Sequence, residues 1–119
     1  MQGENDAIAA TKKDDYIERI TALKDGIKKD LGIEKFCIIK VGSFTNDKRD
    51  EEIFAAQEEV CAKDADFVML TRITAKLLQD KQYLNPFVAG HYGSYGQEVL
   101  GRTAGRNLAM LVKGLPFDA

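Results

Sequence analysis

FCIIKV (residues 36–41) and DFVMLT (residues 66–71) decide the fold of this chain. Both are short, nearly unbroken apolar runs rich in β-branched residues, the pattern of strands covered on both faces. Between them a polar loop, in which Asn46 or Asp47 caps a helix reaching about residue 62, leads to Ile53, Phe54, Gln57, Val60 and Cys61 on one helical face. Strand, helix, strand in that order is a crossover unit, so the two strands are parallel with helices on their faces. The expected class is α/β, a partial three-layer α/β/α arrangement around a short parallel sheet. Two strands are few for a sheet of this kind, and further strands are expected from elsewhere.

Outward from this unit the helices are legible. In residues 12–31 Tyr16, Ile17, Ile20, Leu23, Ile27 and Leu31 recur at intervals of three and four, with Thr11 and Asp14 as a cap and Gly32 as a stop. A short helix is expected over residues 74–80. The last helix is expected over residues 94–113, with Val99, Leu100, Ala104, Leu108 and Leu111 as its stripe and Gly101 and Gly105 allowing close approach to the sheet. Ser94 and Gln97 have capping-box spacing at its start.

Composition narrows the chemistry. The 119 residues carry 17 Lys+Arg against 19 Asp+Glu, net charge −2, with no basic run to track a phosphate backbone. Nucleic acid is therefore not an expected partner. No apolar run has bilayer-spanning length, no membrane partner is expected, and the expected location is cytoplasmic. Cys37 and Cys61 have no CxxC or Cys/His spacing and read as buried thiols, with no metal or other cofactor implied.

The one histidine, His91, sits in NPFVAGHYGSYGQEVLG (residues 85–101), in a glycine-broken loop just ahead of a helix. That placement suits a general base, held firmly yet open to substrate. In an open α/β sheet the reactive crevice lies beyond the carboxyl ends of the strands. Gly42, Ser43 and Phe44, Thr71 and Arg72, and the His91 loop are expected to meet there, joined by residues 2–6.

Residues 2–6, QGEND, followed by helix, strand, helix, strand and then Gly90-His91-Tyr92, resemble the second half of an SGNH hydrolase domain. More narrowly they are similar to the carbohydrate acetylesterases that include sialate O-acetylesterase and acetylxylan esterase relatives, which carry a QGExD motif after an internal strand. The resemblance runs from residue 2 to about residue 112. It implies a flavodoxin-like α/β/α fold and deacetylation of an acetylated carbohydrate by a serine nucleophile. His91 would be the general base and Asn5 the oxyanion donor, with Gln2 as an alternative donor and Gly3 part of the same block. Glu4 and Asp6 would orient the loop and cap the first helix.

Two positions depart from that pattern. Val88 stands where the family's acid precedes the histidine by three residues, so the third triad member is unassigned. Asp80 and Glu98 lack the spacing, and a backbone carbonyl orienting His91 is the other route. The family's G-x-S block is absent too: Ser43 ends a strand and Ser94 reads as a cap. Residues 1–119 are therefore expected to be the C-terminal half of an esterase domain, inactive alone, partnered by the N-terminal half or by a second copy. The competing expectation is a non-enzymatic α/β interaction module or dimerising subunit. Substrate specificity is not legible, with Phe44, Arg72, Tyr83, Tyr92 and Tyr95 as candidates for lining the crevice.

Overall fold

The computed structural model describes residues 3–43, 45 and 47–119. Its elements are α1 (Glu4–Ile8), α2 (Lys13–Leu31), β1 (Phe36–Ile39), α3 (Asp50–Lys63), β2 (Phe67–Thr71), α4 (Thr74–Leu77), a 3-10 turn (Lys81–Tyr83) and α5 (Ser94–Val112). β1 and β2 pair in parallel, with Phe36 opposite Phe67 and Ile38 opposite Met69, and the register shifts after Ile38. The crossover unit is thus present, and the class is α/β with a two-stranded parallel sheet among the described residues.

The core forms where this unit meets the helices. Ile38 and Met69 join Tyr16 and Ile20 of α2, Ile53, Ala56 and Val60 of α3, and Ala7 of α1 in one buried cluster. α2 packs along α3, while α3 and α5 both pack on β2. Gln57, 1% exposed, does polar work inside this cluster. Its Oε1 accepts from the Val41 N–H at 3.0 Å and its Nε2 donates to the Tyr16 hydroxyl at 3.0 Å. The amide beyond the end of β1 is thereby satisfied without a neighbouring strand.

The helix surfaces differ from the apolar-stripe expectation. Leu23 and Leu31 are exposed while Lys24 is buried. The Lys24 ammonium lies 2.7 Å from Asp25 and 2.9 Å from Asp64, and 5.5 Å from the Phe67 ring centroid. A lysine stem covers apolar surface while its charge finds acids, which a stripe of apolar letters does not register. On α5 Leu108 is exposed and Asn107 is buried, donating to the Leu70 and Asp118 carbonyls at 2.8 and 3.0 Å.

Among the described residues the expected side-chain caps do not form. Lys12 precedes α2 without a side-chain cap bond, and the Thr11 hydroxyl donates to Asp6 instead. α3 starts at Asp50 rather than after Asn46 or Asp47, because the Asp50 carboxylate accepts from the Thr45 N–H and hydroxyl, both at 2.9 Å, and fixes the preceding loop. Asn46 lies outside the described residues. Ser94 is the first residue of α5 rather than its cap, so the capping box does not form. Gly101 and Gly105 meet nothing within 4 Å of a built Cβ, whereas at Gly96 that Cβ would lie 2.3 Å from the Tyr83 carbonyl oxygen. The glycine that permits close approach of α5 is therefore Gly96, against the turn ahead of the His91 loop, rather than Gly101 or Gly105 against the sheet. Among the described residues no helix is long and apolar enough to cross a membrane.

Candidate functional site

The His91 loop is closed at its base by main-chain bonds. Leu84 and Tyr92 form an antiparallel bridge, the Asn85 N–H donates to the His91 carbonyl at 2.8 Å, and the Gly93 N–H donates to the Tyr83 carbonyl at 2.8 Å. The Asn85 side-chain oxygen accepts from the N–H groups of Phe87 and Val88, which turns the tip. Phe87 stands 92% exposed at that tip. His91 is exposed, and its backbone is held by the bond from Asn85 and by its own N–H donating to the Val88 carbonyl at 3.3 Å.

Its imidazole has a defined orientation. Nδ1 lies 3.0 Å from the Ala89 carbonyl oxygen. A carbonyl only accepts, so Nδ1 carries the hydrogen in the neutral ring and Nε2 keeps its lone pair. That is the tautomer a general base needs. A backbone carbonyl thus holds the ring where Val88 supplies no acid.

The next residue fixes the loop to the sheet. Tyr92 is buried, and a Cβ on Gly42 would lie 2.8 Å from its hydroxyl oxygen and 2.1 Å from Leu78 Cδ1. Only a residue without a side chain lets Tyr92 and Leu78 seat there, just past the end of β1. Burial, with a smaller push from the Glu4 carboxylate, holds the Tyr92 phenol well above its usual range. Tyr92 therefore stays neutral and is not a base.

α1 reaches the same place from the opposite end of the chain. Gly3 has φ +130°, and a Cβ there would lie 2.9 Å from Ile53, 3.0 Å from Val41 and 3.2 Å from Gln57. The backbone is pressed onto the end of β1, and α1 starts from it. Glu4, Asn5 and Ile8 of α1 then face Gly90, His91 and Tyr92 of the loop across a cleft of about 320 Å³, with Gln97 of α5 contributing. The Gln97 amide donates to the Tyr92 carbonyl at 3.4 Å.

Asn5 and His91 are thus brought together, with Gly3 beneath them; Gln2 and Phe44 lie outside the described residues. Glu4 and Gly90 fall within the segments expected at the crevice, whereas Ile8 and Gln97 were not read as cleft residues. The capping-box spacing from Ser94 placed Gln97 in a cap, and α1 is too short for periodicity to show a face. Thr71 and Arg72 do not join: the Arg72 guanidinium grips the Glu58 carboxylate with two bonds of 2.7 and 2.6 Å. Tyr83 and Tyr95 stack on each other, centroids 5.3 Å apart, outside the cleft lining. Ser43 donates to Asp50 at 3.1 Å, and neither Ser43 nor Ser94 lines the cleft. Among the described residues no group of three or more His, Cys, Asp or Glu is gathered.

Comparison with known proteins gives a family. Residues 1–109 match the model of the carbohydrate esterase family described as sialic acid-specific acetylesterase. No curated protein and no solved structure matches the chain.

Proposed function

The chain belongs to the sialic acid-specific acetylesterase family of carbohydrate esterases, and from that premise we propose that it carries the base and oxyanion groups of a serine O-acetylesterase acting on acetylated carbohydrate. The observation that carries this reading is the shared cleft of Asn5 and His91, built beyond the carboxyl end of β1. Its volume lies at the low end of small-molecule sites, roughly 300–1,000 Å³. An acetyl group on one sugar ring is of that scale.

In the proposed reaction a serine hydroxyl attacks the acetyl carbonyl while His91 Nε2 takes its proton. The tetrahedral oxyanion accepts a hydrogen bond from the Asn5 side-chain amide. Collapse breaks the ester C–O bond, and the imidazolium returns its proton to the leaving sugar hydroxyl. Water then attacks the acetyl-serine with His91 again as base, and acetate leaves. Gln2 is the alternative oxyanion donor. The serine is proposed to come from the N-terminal half of the same SGNH-type domain or from a second copy, with residues 1–119 as the C-terminal half and inactive by themselves.

The sheet supports this division. Among the described residues β1 pairs with β2 alone. Its other side opens onto a groove of about 100 Å³ lined by Tyr16, Ile20, Cys37, Ile39 and Gln57, among others. An added strand there would complete the sheet. The same open edge is what favours the second reading, a dimerising subunit without catalysis.

Acetate release from an O-acetylated sugar by the native gene product separates the two. Asn5→Ala is expected to lower kcat by about 10²–10³-fold with KM little changed, and residues 1–119 alone are expected to release none. Undiminished kcat in Asn5→Ala overturns its assignment. A stable dimer of the native product without acetate release favours the subunit reading.

A further inference from the structure

Ile8 is the one aliphatic side chain among the described residues that line the His91 cleft, and it stands 56% exposed there. Asn5, His91 and Gln97 surround it with polar groups. Asn5 and Ile8 are three residues apart on α1, so they project from one side of a single helical turn, with about 5–6 Å between their Cβ atoms. That turn is fixed. Ala7 is fully buried in the core, the Ala9 N–H donates to the Asn5 carbonyl at 2.9 Å, and the Ile8 carbonyl accepts from the Arg49 guanidinium at 2.6 Å. Arg49 is itself held by Asp47 at 2.8 Å. The two side chains therefore reach the cleft as a unit.

The proposed tetrahedral intermediate gives these groups directions. Its central carbon bears the oxyanion, the serine oxygen, the sugar oxygen and the acetyl methyl. His91 Nε2 must reach the serine oxygen to take its proton and the sugar oxygen to return it, so both oxygens point toward the loop wall. The oxyanion points to the Asn5 amide on the α1 wall. The methyl takes the fourth corner, turned away from the loop, which brings it to α1 beside Asn5. There the one apolar end of the ester meets the one aliphatic side chain of the cleft.

We propose that Ile8 sets the acyl size of this site, its side chain meeting the acetyl methyl and filling the space that a longer acyl chain would need. This rests on reading Asn5 as the oxyanion donor and His91 as the base. Ile8 moves no proton and binds no oxyanion, so shortening it changes which acyl group is accepted rather than abolishing hydrolysis. Phe87 and Val88, the exposed apolar residues of the loop tip, lie outside the cleft lining and do not take this part.

The native gene product is assayed on p-nitrophenyl acetate, propionate and butyrate, which share one leaving group and differ only in the acyl chain. The quantity read is the kcat/KM ratio of butyrate to acetate, from which the concentration of active enzyme cancels. Ile8→Ala is expected to raise that ratio by about tenfold or more, since a methylene in an apolar pocket is worth roughly 10–200-fold. Ile8→Val should raise the propionate-to-acetate ratio, by less. Leu108→Ala, at an exposed leucine of α5 outside the cleft lining, should leave both ratios in place. An unchanged ratio in Ile8→Ala overturns the proposal, and should that variant not fold, an unchanged propionate-to-acetate ratio in Ile8→Val does so. A changed preference between sugar acetate and aryl acetate at constant acyl ratios also overturns it, because Ile8 would then meet the sugar. Activity separates the two claims. If His91→Ala abolishes acetate release but Ile8→Ala keeps the wild-type ratio, Ile8 loses its role and His91 keeps its own. If His91→Ala still releases acetate, or the native product cleaves none of the esters, the reading of the site fails and the Ile8 role falls with it.

Discussion

The hydroxyl of Tyr92 rests on the backbone at Gly42, so close that a Cβ on Gly42 would lie 2.8 Å from it. The residue after His91 is thereby seated at the end of β1, and the position of the base depends on a glycine distant in sequence. Gly42→Ala is expected to lower stability by about 1–3 kcal/mol through overpacking against Leu78 and Tyr92. Urea unfolding measures this, and the His91 resonances should shift in the same variant. An unchanged midpoint and spectrum would show that Tyr92 does not hold the loop.

Gln57 provides a second test at the same end of the sheet. Replacing it by leucine keeps the bulk but removes the acceptor for the Val41 N–H and the donor to Tyr16. A buried group stripped of its partner costs about 1–3 kcal/mol. Gln57→Leu should therefore destabilise by that amount, and Tyr16→Phe by less, because it leaves the Val41 bond intact. Equal stability of Gln57→Leu and wild type would contradict the assigned bridge.

The parts of this architecture that burial dictates were legible in the letters. FCIIKV and DFVMLT had no other good use than paired strands, and α2, α3 and α5 followed from their apolar spacing. The caps were not legible, because Asp50 found Thr45 and Thr11 found Asp6; a short polar side chain has several backbone and side-chain partners within reach. Lys24 and Asn107 were hidden because periodicity counts apolar residues, while these two are buried through ion pairs and carbonyl contacts. In the cleft, Asn5 and His91 came from motif order.

The two thiols are expected to be inert. Burial, aided by the Glu58 charge, pushes the Cys61 thiol up to about 11, and burial also raises Cys37. Little thiolate is present at pH 8, so alkylation by iodoacetamide should run at least about tenfold slower than for a free thiol. Urea should release it. Both thiols are half-buried rather than fully buried, and rapid labelling of the folded protein would contradict their shielding.

Acid should weaken the contact between α3 and the end of β2. The two-bond grip of Arg72, opposed by desolvation and aided by Lys40, holds Glu58 down to about 2 from 4.5. A depressed carboxylate stabilises the fold fully above its unfolded value and loses that contribution as pH falls toward the folded one. The stability difference between wild type and Arg72→Met, about 1 kcal/mol or less for a pair this exposed, should be constant above about pH 5 and shrink between pH 4.5 and 2. A difference independent of pH over that range would show that the ion pair is not its source.

The most direct test of the central claim is acetate release from an O-acetylated sugar by the native gene product and its His91→Ala variant. If His91 Nε2 is the base, the variant should lose activity by about 10²–10⁴-fold while retaining its fold. Equal release by the two proteins, or no release by either, would contradict the account.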